Sequence, residues 1–235
     1  MQELSLKSYY YKGIRDAAPF LLVIIPFSIL FGVVATEAGL SILETMGFSI
    51  IVIAGAAQFT AVQLMEDDLP TLIIILTALA VNLRMAMYSA SLTPFLGKVS
   101  IWRRAVVSYF MVDQAYAVSA LQYEQDTNMT TAQRFAYYMG TVTPICPAWY
   151  ALTLTGAIIG AQIPPEFALD FALPITFIAM VAPALRTFAH IAAATTSVIA
   201  ALVLAGIPYN LGLIMAAILA MIVGAQTERW MESRR

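Results

Sequence analysis

Asp113, Arg84 and Gln58 are the residues of this sequence best placed to do chemistry, because each interrupts a long apolar run. A polar side chain at membrane depth is costly and needs a partner, water or a ligand. Asp113 lies in the middle of Ala105 to Tyr123. An ionised carboxylate there calls for a cation, water or a proton, so it reads as a proton site or a partner for a substrate ammonium. Arg84 follows Asn82 in another apolar stretch. A guanidinium matches a carboxylate in two-pronged geometry, so Arg84 reads as a clamp for an anionic group. The plainer alternative is an ion pair between the two, or an Arg84 side chain that snorkels to an interface. These readings overlap, because a paired Arg and Asp can open to admit a zwitterion. Gln58 follows Gly55-Ala56-Ala57. Small residues let another backbone approach closely, and a helix broken there would offer its free amides to a carboxylate. Ordinary helix packing with one amide hydrogen bond is the alternative. Gln114, Tyr116, Trp149 and Gln63 are weaker candidates of the same kind.

Other chemistries find little support. A single histidine, His190, argues against a histidine-rich metal site within one chain, and a single cysteine, Cys146, against an internal disulfide framework. No phosphate loop, HExxH or GxSxG motif is present. An enzyme is therefore not expected, nor a cofactor. Without an ATP site, transport would be driven by a gradient or be passive. The net charge of −2 without a basic tract argues against nucleic acid as a partner.

The elements that must position these residues follow from composition. Apolar residues make up 61% and charged residues 11% of 235 positions; soluble domains carry roughly 45–50% and about 25%. Mean hydropathy is +0.82. Charge-free gaps run over 17–36, 45–65, 135–165 and 187–227. A spanning helix needs about 20 mostly apolar residues at about 1.5 Å each, and Gly206-Ile207-Pro208 divides the last gap where a turn would fall. The sequence predicts an all-α, polytopic transmembrane bundle of seven or eight spans in a single integral-membrane domain over 1–235. The hydrophobic pieces are about 17–36, 45–65, 69–97, 105–123, 135–163, 167–185, 188–205 and 207–227.

Several pieces carry helix-disturbing residues: Pro94 in the third, Pro144 and Pro147 in the fifth, Pro174 and Pro183 in the sixth. Proline removes a backbone bond, and transporters use broken helices near mid-membrane to hold substrate. A weak internal symmetry joins about 10–97 and 100–187, followed by two C-terminal spans. Arg15 and Arg104 each open a series in which a small-residue segment follows, Gly55 to Phe59 or Gly140 to Trp149. Three helices twice over suggest inverted repeats. Lys7, Lys12 and Arg15 favour a cytoplasmic N-terminus, and Arg229, Arg234 and Arg235 a cytoplasmic C-terminus. Lys98, Arg103 and Arg104 should then also be inside, yet three full crossings put them outside; either an early piece is re-entrant or this loop breaks the rule.

Three segments together resemble the AzlC-like branched-chain amino-acid permease family. Gly55-Ala56-Ala57-Gln58-Phe59 is similar to that family's Gly-Ala-Ser-Gln-Phe. Asn82-Leu83-Arg84-Met85-Ala86-Met87-Tyr88-Ser89-Ala90-Ser91-Leu92 is similar to its Asn-Leu-Arg-His-x-Leu-Tyr-Gly-x-Ser-Leu, and Asp113-Gln114-Ala115-Tyr116-Ala117 to its Asp-Glu-x-Phe-Ala. The resemblance covers most of 10–227. It implies a secondary exporter of branched-chain amino acids such as valine, in the bacterial cytoplasmic (inner) membrane, working with a small, separately encoded AzlD-like membrane subunit of about four spans. Met85 stands where the family has His and Gln114 where it has Glu. Both changes remove a titratable group, leaving Asp113 as the remaining acid and the substrate open. The expectation is a substrate site drawn from Gln58, Asn82, Arg84, Tyr88, Gln114 and Trp149, with Asp113 coupling transport to protons. The competing expectation is a transporter or channel for another small solute on the same scaffold.

Overall fold

The structure, a computed structural model, describes residues 5–162, 185, 187–207 and 211–233. Every regular element among these residues is helical. The chain divides into two compact units, Met1–Leu169 and Asp170–Arg235.

The first unit opens with α1 (Leu6–Ala17), a single 3-10 turn (Ala18–Phe20) and α2 (Leu21–Glu37). Together they make one helical stretch of 32 residues, Leu6–Glu37, whose apolar part is long enough to cross a membrane. The charged residues Lys7, Lys12 and Arg15 therefore lie on helix rather than in a flanking tail. α3 (Ile42–Val52) starts at a capping box in which the Glu44 backbone N–H donates to Ser41 Oγ and the Ser41 N–H donates to Glu44 Oε2. α4 (Gly55–Glu66), α5 (Thr71–Leu96), α6 (Ile101–Tyr109), α7 (Asp113–Gln125) and α8 (Thr131–Gly160) follow. α5 and α8 are also long and apolar enough to span, and α8 starts at a second capping box, Thr130 with Gln133.

The second and fourth hydrophobic pieces are each broken into two short helices. α3 ends at Ile53 in left-handed backbone (φ 43°, ψ 37°), and α4 starts two residues later at Gly55. α6 ends at Phe110, and extended Val112 (φ −121°, ψ 155°) leads into α7 at Asp113. Neither break contains a proline. Pro26, Pro94, Pro144 and Pro147 sit instead inside continuous α2, α5 and α8. Asn82, Arg84 and Gly140 to Trp149 likewise lie in unbroken helix.

In the unit's core α1 and α2 run along α8. A Cβ added at Gly140 would meet the Tyr10 carbonyl, and one at Gly156 the Ile29 carbonyl, while Gly13 and Gly32 meet α8 backbone in return. Only glycine lets two helix backbones approach this closely.

The second unit pairs α9 (Phe188–Val203) with α10 (Leu211–Glu232). The run Leu211–Met231 is long enough to span; Phe188–Val203 is shorter. The sixth hydrophobic piece, 167–185, with Pro174 and Pro183, lies outside the described residues but for Leu185. So do Arg186, Pro208, Arg234 and Arg235.

Candidate functional site

Both breaks fall immediately before a motif. Gly55 to Phe59 is the first turn of α4, and Asp113 to Ala117 is the first turn of α7. Neither N-terminus has a side-chain cap, so backbone N–H groups with the positive end of the helix dipole stand free at each. The carbonyls released on the other side of each break are taken up by tyrosines. Tyr109 Oη donates to the Ile50 carbonyl (2.7 Å), and Tyr138 Oη contacts the Val107 and Phe110 carbonyls (3.1 and 3.2 Å). In lipid, non-helical backbone survives only where protein or a cavity satisfies it in this way.

The sequence-predicted site residues separate into two groups. The first joins α5 and α7. Arg84 Nη1 lies 3.2 Å from Asp113 Oδ2, with 29% and 38% of the two side chains exposed. The contact is one-pronged: Arg84 Nε and Asp113 Oδ1 lie buried without a hydrogen-bond partner, as does Asn82 Oδ1 elsewhere on α5. Asp113 also sits at the first position of α7, where the helix dipole favours its negative charge. One turn along α5, Tyr88 stacks on Tyr116 of α7 with ring centroids 4.0 Å apart and planes 11° from parallel. Tyr116 Oη donates to Ser91 Oγ (3.2 Å). The result is a charged pair beside an aromatic plate, open on one side. Gln114 is half-buried next to Asp113.

The second group surrounds the first break and is closed. Gln58 is fully buried, and its Nε2 donates to Ser49 Oγ (3.2 Å), which in turn contacts Thr153 Oγ1 (3.4 Å). Trp149 is buried with Phe27, Phe31 and Phe59, at ring separations of 4.8–6.2 Å. Gly55 fits beneath Phe27 and Trp149, where a Cβ would collide with both rings. Gln58 and Trp149 thus lie in buried polar and aromatic packing beside the first break.

Ser49, Thr45, Thr153, Tyr109 and Tyr138 were missed by sequence reasoning. Thr45 and Ser49, four residues apart, share one face of α3, a spacing that was legible. The tyrosines act through tertiary contact that no local pattern reports. Cys146 is buried in α8 and carries no disulfide. Among the described residues no cluster of three or more His, Cys, Asp or Glu could hold a metal.

A third polar group ties the far end of α7 to α1 and α8. Tyr9 Oη donates to Asp126 (2.8 Å), Lys12 Nζ donates to Gln122, and Tyr137 Oη donates to Asp16 (2.9 Å). Tyr123 Oη donates to the Arg134 carbonyl (2.7 Å).

Comparison with known proteins places this arrangement. The sequence profile of the family described as AzlC protein matches residues 19–163, a range that contains all three motifs and both breaks. The chain is 26% identical over 174 residues to the inner membrane protein YgaZ of Escherichia coli (strain K12), across 72% of this chain and 70% of that protein. It is 26% identical over 190 residues to an uncharacterized membrane protein of Archaeoglobus fulgidus, across 79% and 80%. A membrane protein of Helicobacter pylori is 22% identical over 165 residues, 68% of each chain. No solved structure matches.

Proposed function

The chain belongs to the AzlC family, and we propose that it is a secondary transporter that exports a small apolar amino acid, valine-like or methionine, coupled to protons. The observation that carries this reading is the half-exposed Arg84–Asp113 pair at the start of a half-helix, with unused hydrogen-bonding atoms on both partners. A pure anchor has no need of a charged pair in an apolar segment. Protonation of Asp113 releases the Arg84 guanidinium, which then holds a substrate carboxylate. Asn82 and Gln114 offer further polar contacts, and the Tyr88–Tyr116 plate offers an apolar wall for a branched side chain. Deprotonation restores the ion pair and expels the substrate, so proton and substrate leave on the same side and export is driven by the outward gradient of the substrate itself. Alternating access around a site between broken helices is the way transporters of this general build work.

The same reading puts the protein in a bacterial cytoplasmic membrane with its N-terminus inside, on the basic residues Lys7, Lys12 and Arg15. An AzlD-like small subunit is the expected partner. The test is counterflow in proteoliposomes, with and without a co-expressed small subunit, across valine, leucine, isoleucine, methionine and unrelated solutes. Exchange of the apolar amino acids, lost in Arg84→Gln, is the expected result. Exchange of an unrelated solute alone would move the protein to another substrate class, and no exchange of any solute would end the transport reading.

A further inference from the structure

In the first unit α8 is a ruler for depth. Its 30 residues, Thr131–Gly160, cover about 45 Å at about 1.5 Å each. α1 and α2 run parallel to it: Gly140 meets Tyr10 toward its start, and Gly160 meets Val33 and Thr36 at its end. The second broken piece leaves from the start of α8 and returns there. At the beginning of α6 the Arg103 guanidinium lies 5.2 Å over the Phe135 ring. α6 then climbs to Tyr109, whose hydroxyl meets that of Tyr150 (3.0 Å). α7 descends again: Tyr123 packs on Tyr137 and donates to the Arg134 carbonyl, and Asp126 accepts from Tyr9 of α1.

The first broken piece does the reverse. α5 runs beside α7 in the same direction, since Arg84 meets Asp113, Tyr88 meets Tyr116 and Phe95 meets Tyr123. Its 26 residues therefore start toward the far end of α8. α3 also starts at that end, directly after α2, and its Ser49 reaches Thr153. Past the break, Gly55 lies beneath Trp149, nearer the middle of α8. α4 must climb back from there to reach the start of α5, along which it packs. At mid-depth the two turning points touch, where Tyr109 Oη donates to the Ile50 carbonyl.

The charges divide in the same way. Lys7, Lys12, Arg15, Lys98, Arg103, Arg104 and Arg134 all fall at the end where α8 starts. Glu37, Glu44, Glu66, Asp67 and Asp68 fall at the other end, and the sequence has no Lys or Arg between Arg15 and Arg84. An excess of Lys and Arg marks the cytoplasmic side. Among the described residues of this unit, the stretches long and apolar enough to span are Leu6–Glu37, Thr71–Leu96 and Thr131–Gly160, and neither broken piece is one of them.

We infer that α3–α4 and α6–α7 are re-entrant hairpins that enter the bilayer from opposite faces and meet at their tips. The α6–α7 hairpin, with Asp113 at its tip, enters from the cytoplasmic face. The Lys98–Arg104 loop then obeys the positive-inside rule, because α1–α2, α5 and α8 are the full crossings of this unit. Backbone turned at membrane depth is tolerated where protein covers it, as Tyr109 and Tyr138 do here. The inference goes beyond the transport reading and holds whatever the solute.

The test is labelling of single cysteines by a membrane-impermeant maleimide, in the full-length protein expressed in bacterial spheroplasts. Asp67→Cys, Lys98→Cys, Asn128→Cys and Gln162→Cys all lie at exposed positions outside the helices. The unsubstituted chain, whose Cys146 is buried, gives the blank, and denatured samples show that each new thiol can react. Asn128 and Gln162 flank α8 and mark its two faces. Asp67→Cys and Gln162→Cys should label in intact spheroplasts, and Lys98→Cys and Asn128→Cys only once the membrane is opened. If both pieces crossed fully, Asp67 would label with Asn128 and Lys98 with Gln162. Either of those pairings would overturn the hairpins. Labelling of Lys98→Cys and Asn128→Cys from outside would overturn the cytoplasmic assignment. No solute is involved, so this result and the transport reading can fail independently.

Discussion

Replacing Asp113 by Asn should tighten substrate binding and at the same time abolish proton-driven transport. The reasoning starts from the pair itself. At 3.2 Å, two unit charges attract by about 5 kcal/mol for an effective dielectric near 20. The protein encloses the pair only in part, leaving 29% and 38% of the side chains exposed, so that attraction is not realised in full. A net coupling of about 1–2 kcal/mol lies between the values for exposed and buried pairs. In the proposed cycle a substrate carboxylate must displace Asp113 from Arg84, so this coupling opposes binding. Removing the Asp113 charge should therefore raise affinity about 5- to 30-fold, at about 1.4 kcal/mol per tenfold. The assay is radiolabelled valine binding to purified protein across a pH series, paired with uptake under an imposed proton gradient. Wild type should bind more tightly as pH falls, and Asp113→Asn should bind tightly at every pH and ignore the gradient. Weaker binding in Asp113→Asn would show that the carboxylate holds the substrate ammonium instead. Retained pH dependence would remove Asp113 from the proton step.

Gly156→Ala should weaken the seam between α2 and α8, because its methyl would meet the Ile29 carbonyl. The expected cost is about 1–3 kcal/mol, read as a lower unfolding midpoint, whereas Gly47→Ala, with open space around it, should be neutral or slightly stabilising; equal effects at both positions would refute the seam. The Ser41 hydroxyl, with its backbone N–H second, holds the Glu44 carboxyl below the usual carboxylate range at the exposed start of α3. A carboxylate lowered in the folded state adds stability at neutral pH that is lost as pH falls through its folded value. Glu44→Gln should therefore flatten the acid limb of the stability curve, and an unchanged limb would discard the capping argument.

Much of the fold was legible because a bilayer imposes a simple rule on composition. Gaps without charge mark helices, and the pieces at 69–97, 135–163 and 207–227 contain α5, most of α8 and most of α10. The breaks were harder to see. Proline pointed to the wrong places: at Pro94, Pro144 and Pro147 the helix continues, because one missing N–H removes a single bond and neighbours absorb the loss. The break at Ile53 falls just before Gly55, where the sequence allowed for a broken helix, but the one at Met111 lies in apolar sequence with no local breaker. They are held open by Tyr109 and Tyr138, which reach in from other helices to take the freed carbonyls. Of the candidate site, the Arg84–Asp113 pair was readable, since two opposite charges in apolar surroundings have few alternatives. That Gln58 would be buried against Ser49 and Thr153 was not, because it depends on how α3, α4 and α8 pack.

The way each helix is held bears on which one moves. α1–α2 and α8 meet backbone to backbone at Gly13–Gly140 and Gly32–Gly156. Such an interlocked seam cannot slide without steric collision, so it suits a fixed frame. α7 is held differently. At its N-terminal end Asp113 meets Arg84 of α5, and at its C-terminal end Gln122 and Asp126 meet Lys12 and Tyr9 of α1. Each of these contacts is polar, partly exposed and worth only about 0.5–3 kcal/mol net, because water or a substrate can replace either partner. α5, across the pair, leaves its whole apolar window uncovered within the unit. Between these ends α7 is packed: Ala115, Ser119 and Tyr123 are fully buried, and the Tyr123 ring meets Phe95 of α5 and Tyr137 of α8. The Asp113–Arg84 contact, rather than the glycine seam, is therefore where a change of charge is felt first.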